Sequence, residues 1–311
     1  MMFFCEKAIP ISKQFLNDER MNLKGLGVAV LTPFTSEGQV DYKAIPAIIE
    51  NITSGRADYL VLMGTTAESP CLTLEEKQKI IQTVRDSNYG NLPLVIGIGG
   101  NNTAKVVEEI SSMDLSPFEA IMSVSPYYNK PTQEGIYQHF KKIAQASPLP
   151  IIVYNVPSRT GAAIEVDTFV RMAHDFENII AIKEASGEMS HAENLIKKSP
   201  AHIQVISGDD ALNLPMLLAG AVGTISVLGN ALPVPIVSMF HYVSEGNLKK
   251  AYELHYQLLD IISLIFEEGN PTGIKALMET LSLCNKTVRL PLVRASDALC
   301  LKIEKALESA V

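Results

Sequence analysis

Lys183 is the residue of this chain whose surroundings best suit covalent chemistry. It ends the apolar run NIIAIK at residues 178–183, which is typical of a β-strand. Side chains alternate along a strand, so Lys183 should share a face with Ala181, while Ile180 and Ile182 share the other. We expect a lysine on that face to be at least half buried. Burial disfavours the ammonium ion, and a neutral amine can attack a carbonyl carbon. The alternative is a lysine that caps the strand and reaches solvent.

Polar and aromatic side chains follow other apolar runs of the same kind. They lie in GTTAES at 64–69, SPYYNKP at 125–131, YNVPSRTG at 154–161, SGDD at 207–210 and IS at 225–226. Each has a plain alternative: a hydroxyl-capped turn, a packed tyrosine loop, or a surface charge at Arg159. For the Asp209-Asp210 pair, helix N-capping is favoured over metal binding, because no other carboxylate or histidine falls at a matching strand end. Together, hydroxyls, phenols, an arginine and an apolar lysine indicate carbonyl chemistry through a Schiff base.

The elements that would position these side chains alternate regularly. The predicted strands are Gly27–Leu31, Tyr59–Met63, Leu94–Ile98, Ala120–Ser123, Ile151–Tyr154, Ile179–Lys183, Gln204–Ser207 and Gly223–Ser226. Between them lie helical patterns, one of which begins at Thr73 with the spacing of a capping box. Eight strand–helix units over roughly 220 residues predict an α/β fold, a (β/α)8 TIM barrel with its active site at the C-terminal strand ends. A doubly wound sheet is the alternative, but the run VAVLTPF at 28–34 lacks the glycine-rich turn expected there.

The barrel is predicted to occupy residues 21–244 of the chain. The pattern from 245 to 311 is helical and predicts a small C-terminal helical appendage packed on the barrel. Residues 1–20 are mixed in character, and we expect Met21 to be the natural start, with the preceding segment a mis-called or optional extension.

Composition excludes several classes of function. The chain has 311 residues with a net charge of −8 and no cluster of Lys or Arg, which argues against nucleic-acid binding. The four cysteines form no CxxC pair and the histidines are scattered, so we predict no metal site and no disulfide framework. No apolar run reaches the roughly 18 residues that span a membrane. We therefore expect a cytoplasmic protein with no membrane partner.

Three segments carry a family resemblance in combination: residues 125–140, 154–161 and 182–187. They resemble the dihydrodipicolinate synthase / N-acetylneuraminate lyase family of lysine-dependent aldolases that handle pyruvate. The resemblance covers the chain from Leu23 to the C-terminal helices. Arg159 within YNVPSRTG, and the Thr65-Thr66 pair, favour the dihydrodipicolinate synthase branch over the sialate lyase branch.

The resemblance implies a catalytic set of four residues. Lys183 would form an imine with pyruvate, and Tyr154 would be the acid/base that serves imine formation and proton transfer. Thr65 would link Tyr154 to Tyr128 in a hydroxyl relay. Because Tyr128 would be contributed across a dimer interface, the resemblance also implies a homo-oligomer, expected to be a dimer of dimers.

The resemblance also implies a set of residues that bind substrate. The Thr65-Thr66 backbone and hydroxyls, with the Ile225 main chain and Gly208 nearby, would hold the carboxylate of pyruvate, and Arg159 would orient the second substrate. The family has a second glycine where this chain has Ala67. If that backbone needs a positive φ, alanine is strained there, and we expect a small effect.

The implied reaction condenses pyruvate with L-aspartate-4-semialdehyde and needs no metal or organic cofactor. One alternative is another pyruvate-dependent aldolase or lyase, acting on N-acetylneuraminate or a keto-deoxy sugar acid. Arg159 discriminates between these activities. A second alternative is a catalytically silent binding protein, but such family members lose the lysine or the tyrosine, and this chain keeps both.

Regulation by lysine is the last expectation that the resemblance carries. Family members that lysine inhibits bind it with histidines and a glutamate, and the matching positions here are Leu74, Lys77 and Lys105, whereas Asn101 and Tyr127 are kept. A lysine effector would meet two like charges and lose its carboxylate partner. We therefore expect weak or absent feedback.

Overall fold

The computed structural model describes residues 21–310, and within them eight parallel strands close into a barrel. The strands are β1 Gly25–Ala29, β2 Tyr59–Leu62, β3 Leu94–Gly97, β4 Ala120–Val124, β5 Ile151–Asn155, β6 Ile179–Glu184, β7 Gln204–Ser207 and β8 Gly223–Ser226. Each pairs with the next in sequence, and β8 pairs with β1 to close the ring. The predicted (β/α)8 fold is confirmed. The predicted extension at 1–20 lies outside the described residues.

Helices connect the strands and continue after β8. They are α1 Ile45–Ser54, α2 Leu74–Ser87, α3 Thr103–Ser112, α4 Gln133–Ala146, α5 Pro157–Thr160, α6 Val166–Asp175, α7 Met189–Lys198, α8 Asn213–Ala219, α9 Pro233–Ser244, α10 Leu248–Glu267, α11 Thr272–Thr280 and α12 Asp297–Ala310. The capping box predicted at Thr73 is confirmed: its hydroxyl accepts from the Glu76 amide, and the Glu76 carboxylate accepts from the Thr73 amide. The sequence patterns missed α5, a single turn that begins at a proline.

The barrel strands are buried on both faces, so they form two apolar layers. One layer lies between strands and helices, and the other fills the barrel interior. Ala181 lies in the interior layer and Ile182 in the outer one, as alternation predicts. The prediction for Ile180 is wrong, because it packs in the interior. The register explains this: Ile151 pairs with Ile179 and Ile152 with Ala181, so the ladder skips Ile180.

Of the three C-terminal helices, α11 and α12 pack against α10, which also lies against α9. Their buried side chains, including Ile261, Ile274 and Leu299, join the same apolar layer as the outer face of the barrel. The division at residues 244 and 245 stays a prediction. Among the helices that the structure describes, none is long and apolar enough to cross a membrane.

Candidate active site

Lys183 and Tyr154 stand side by side at the C-terminal edge of the barrel. They are register partners on β6 and β5, and the Lys183 Nζ lies 4.5 Å from the centroid of the Tyr154 ring. The exposed fractions are 5% for Lys183 and 7% for Tyr154. The lysine is therefore almost completely buried, in agreement with the prediction that it is at least half buried. An amine is thus held in contact with a phenol in an environment that excludes most water.

Gly208 gives the lysine its space. It follows β7, and its amide donates to the Glu184 carbonyl at 2.7 Å. A Cβ at this position would lie 2.8 Å from the Cε of Lys183 and 2.8 Å from the Cβ of Ala185. Because both distances are far below van der Waals contact, a side chain here must push the lysine from its place.

We expect Gly208→Ala to lower the rate of imine formation with pyruvate by about 10²-fold, since a displacement of about 1 Å at a reacting group costs that much. The time course of adduct formation, stopped by borohydride reduction, is the measurement. Gly100→Ala is the matched control, because a Cβ there meets only Val106 Cγ2 at 3.4 Å. Equal rates for the two variants would contradict the steric role of Gly208.

The Gly-Thr-Thr segment after β2 forms a tight turn that presents hydroxyl groups. Thr65–Ala67 is one 3-10 turn, Thr66 is 2% exposed, and the Ala67 carbonyl accepts from the Thr32 hydroxyl at 2.8 Å. Ala67 is not among the described residues with a positive φ, whereas Glu68 has φ 52°. The left-handed conformation therefore falls one residue after the expected place, and alanine fits at 67.

Most of the predicted site residues line one cavity of about 790 Å³ at the C-terminal mouth of the barrel. The wall includes Lys183, Tyr154, Thr65, Thr66, Arg159 and Gly208. Arg159, on α5, donates through Nη2 to the Asn270 carbonyl at 3.2 Å, which places its guanidinium beside the cavity. The structure thus brings together the amine, the phenol, the two threonines and the arginine on which the resemblance depends.

Two predicted site residues lie outside this wall. Ile225 is fully buried in the barrel interior, where it pairs with Gly27. Tyr128 is 88% exposed and has φ 72°. Among the hydrogen bonds of residues 21–308, none joins the hydroxyls of Thr65, Tyr154 and Tyr128. The relay and the interface role of Tyr128 stay predictions.

The two aspartates after β7 cap backbone groups, as predicted. Asp209 accepts from the Ala211 amide at 3.0 Å, and Asp210 accepts from the amides of Val227 and Leu228 at 2.9 and 2.8 Å. Burial raises the pKa of the Asp209 carboxyl, and the charge of Asp210 adds to this effect. Within the described part of the chain, no group of three or more His, Cys, Asp or Glu side chains could hold a metal ion.

The sequence patterns missed a buried ion pair behind the Gly-Thr-Thr turn. Lys275 Nζ on α11 donates to Glu68 Oε1 at 2.6 Å, with both side chains at most 1% exposed. The Arg289 amide donates to Glu68 Oε2 at 2.8 Å, and its guanidinium binds both oxygens of Glu76. Burial lowers the pKa of Lys275, while the neighbouring Glu68 opposes that shift. More than 200 residues separate Glu68 from these partners, so no local pattern could reveal them.

Fold and site together define a (β/α)8 barrel with a buried lysine at a cavity in its C-terminal mouth, whose wall also carries hydroxyl groups and a guanidinium. This is the arrangement of barrel enzymes that form Schiff bases. The profile described as "Dihydrodipicolinate synthetase family" matches residues 22–310. The chain therefore belongs to the dihydrodipicolinate synthetase family, and it is an enzyme of the lyase type.

Known relatives resemble the chain over nearly its whole length. The 4-hydroxy-tetrahydrodipicolinate synthase of Flavobacterium psychrophilum is 50% identical over 280 residues, which cover 90% of this chain and 96% of the relative. The crystal structure of dihydrodipicolinate synthase from Aquifex aeolicus is similar with a TM-score of 0.87 and 39% identity, covering 92% of this chain and 97% of that one. A structure described as the first monomeric dihydrodipicolinate synthase variant has a TM-score of 0.89 and 32% identity, covering 92% and 96%.

Proposed function

We propose that this protein condenses pyruvate with L-aspartate-4-semialdehyde to give 4-hydroxy-tetrahydrodipicolinate, a step in the biosynthesis of diaminopimelate and lysine. The observation that carries the proposal is the buried Lys183 amine beside the Tyr154 ring, in a cavity whose wall also includes Arg159. Relatives that are 40–50% identical over most of the chain are named for this reaction.

The first half of the reaction makes a nucleophile from pyruvate. Lys183 Nζ attacks the keto carbon, water leaves, and the resulting iminium makes the methyl group acidic because it accepts charge from the forming carbanion. Tyr154 donates a proton to the departing hydroxyl and serves the later transfers, since its ring is in contact with the amine. Thr65 and Thr66 hold the carboxylate through hydroxyl and backbone N–H groups, with Gly208 and the Ile225 main chain nearby.

The second half joins the two substrates. The enamine carbon attacks the aldehyde carbon of L-aspartate-4-semialdehyde, whose oxygen takes up a proton. Arg159 binds the carboxylate of this substrate, for which a planar guanidinium is suited. The amine of the second substrate then attacks the imine carbon, closes the ring and releases Lys183 as a free amine. No metal or organic cofactor takes part in these steps.

Tyr154→Phe keeps the ring against Lys183 and removes only the hydroxyl. Turnover should fall by about 10²–10⁴-fold, the usual contribution of a general acid–base group. Steady-state kinetics with both substrates is the measurement. Tyr59→Phe is a matched control in the same barrel interior, because the Tyr59 hydroxyl donates to the Thr224 carbonyl, away from the cavity wall. An unchanged rate for Tyr154→Phe would remove this residue from the mechanism.

We further propose that the enzyme works in the cytoplasm as a homo-oligomer, expected to be a dimer of dimers. The support is the exposed Tyr128 side chain, which a relay to Thr65 and Tyr154 requires from a second copy. Because one of the similar structures is described as a monomeric variant, the oligomeric state of this protein needs to be measured directly. Sedimentation velocity gives the mass of the assembly, which should be that of a tetramer, and the same measurement on Tyr128→Ala shows whether this residue contributes to the interface.

The function is tested by supplying pyruvate and L-aspartate-4-semialdehyde and following NADPH consumption by a coupling reductase that accepts the cyclic product. Robust turnover is expected. Absence of turnover, with Lys183 still trapped by pyruvate and borohydride, would indicate an aldolase with another aldehyde partner. The same assay with added lysine tests the expectation of weak feedback, and half-inhibition below about 1 mM, or roughly −4 kcal/mol of binding, would contradict it.

A further inference from the structure

Asn270 contacts residues of both proposed substrate sites. It lies just before α11, is 7% exposed, and lines the cavity that holds Lys183. Its Nδ2 donates to the Thr66 Oγ1 at 3.1 Å, and its backbone carbonyl accepts from Arg159 Nη2 at 3.2 Å. One residue from the C-terminal region thus contacts a threonine proposed to hold pyruvate and the arginine proposed to hold the aldehyde substrate.

The polarity of the Asn270–Thr66 hydrogen bond matters because a hydroxyl has one proton and two lone pairs. An amide N–H can only donate, so it occupies a lone pair of Thr66 Oγ1 and leaves the Thr66 proton for another acceptor. A carboxylate can only accept hydrogen bonds. The contact therefore leaves the hydroxyl ready to donate to a bound carboxylate. Among the described residues, the Asn270 Oδ1 has no hydrogen-bond partner, and the Nδ2 bond to Thr66 is the side-chain hydrogen bond of this amide.

We propose that Asn270 is a positioning residue that aligns the Thr66 hydroxyl to donate to the carboxylate of the substrate that forms the imine. Its side chain serves this first site, and its backbone carbonyl serves Arg159. The inference rests on the proposed function, since it assumes that Thr66 binds the carboxylate of a keto acid. Substitution at position 270 separates the role of the side chain at Thr66 from the role of the carbonyl at Arg159, because every variant keeps the backbone carbonyl and changes only the side chain.

Asn270→Ala should raise the pyruvate concentration that gives half-maximal imine trapping by roughly tenfold, the cost of a weakened hydrogen bond to a charged group. The KM for the aldehyde substrate should stay near its original value, because the carbonyl that binds Arg159 remains. Thr66→Val should raise the same pyruvate concentration, and the double variant should match Thr66→Val alone. Such non-additivity is expected when one residue acts through the other.

Asn270→Asp reverses the polarity of the contact and is the sharper variant. Its carboxylate accepts but cannot donate, so the Thr66 proton turns toward residue 270 and away from the substrate. We expect a larger loss of pyruvate affinity than for Asn270→Ala. Asn247→Ala is the matched control, because that side chain caps α10 through the Lys250 amide and stands apart from the cavity wall. Circular dichroism and thermal melting of each variant establish that it is folded.

Three results would overturn the role of Asn270. They are additive effects of Asn270→Ala and Thr66→Val, wild-type pyruvate affinity in Asn270→Asp, or an equal rise in KM for both substrates. The first two are measured by imine trapping, which needs no aldehyde, so they do not depend on the identity of the second substrate. An unsubstituted protein that pyruvate and borohydride fail to modify would overturn the proposed function itself. Normal trapping with additive variants would remove only the inference about Asn270.

Discussion

Lys183→Ala is expected to abolish trapping of pyruvate by borohydride and to leave no measurable turnover. Lys183 is 5% exposed, its amine is in contact with the Tyr154 ring, and the cavity wall includes no other lysine. Without the covalent intermediate, only the neutral keto group can accept charge from the methyl carbon, and it does so far less well than an iminium, so the variant loses the step that makes the nucleophile. Intact-mass measurement after reduction gives the number of adducts, and peptide mapping locates them.

Lys183→Arg separates the charge of this residue from its nucleophilicity. A guanidinium keeps the positive charge but does not lose its proton in proteins, so we expect no adduct in this variant either. The buried Lys275 provides an internal comparison in the unsubstituted protein. Its Nζ is bound to Glu68 and to the Thr287 carbonyl, so reduction should leave it unmodified. An adduct that persists in Lys183→Ala would refute the assignment of the nucleophile.

Lys275→Met is expected to lower the free energy of unfolding by about 3–5 kcal/mol, because it leaves the Glu68 carboxylate buried without its cation. Methionine has a similar length, so the loss of packing is small. The Lys302–Glu267 pair is the matched comparison: it has the same 2.6 Å separation, but its side chains are 54% and 41% exposed. Lys302→Met should cost no more than about 1 kcal/mol. Equilibrium unfolding in urea measures both.

A double variant tests whether the lost stability comes from the unpaired Glu68 carboxylate. In Glu68→Gln/Lys275→Met no uncompensated charge remains, and the glutamine oxygen can still accept from the Arg289 amide. We expect the double variant to be more stable than Lys275→Met alone. If Lys275→Met and Lys302→Met lose equal stability, the buried pair contributes no more than an exposed one.

Periodicity alone predicted the barrel, since eight apolar runs separated by helical patterns have few other solutions. The errors in the strand bounds and facing predicted from periodicity are local and have physical causes. β1 begins two residues before the predicted Gly27, at a glycine with φ 84° that is not a strand signal. Ile180 faces the interior because the β5–β6 ladder skips one residue, and no alternation pattern contains such a shift.

The site was predictable where its residues follow a strand. Lys183, Tyr154 and Thr66 end up on one cavity because the C-terminal ends of parallel strands meet at one mouth. Asn270 and Lys275 were not found, because they lie in the C-terminal region and reach the cavity or its supporting turn only through the fold. A lysine inside an amphipathic helical pattern gives no sign that it is fully buried.

The Lys275–Glu68 ion pair and the Asn270–Thr66 hydrogen bond have a consequence for laboratory evolution of substrate preference. Selection for changes at Thr66 or Glu68 also acts on their contact residues, which lie more than 200 positions later in the chain. A library confined to the barrel loops would substitute Thr66 and Glu68 while Asn270 and Lys275 stay unchanged, so compensating substitutions could not arise. Diversifying 64–68 together with 270–275 lets both sides of each contact change at once.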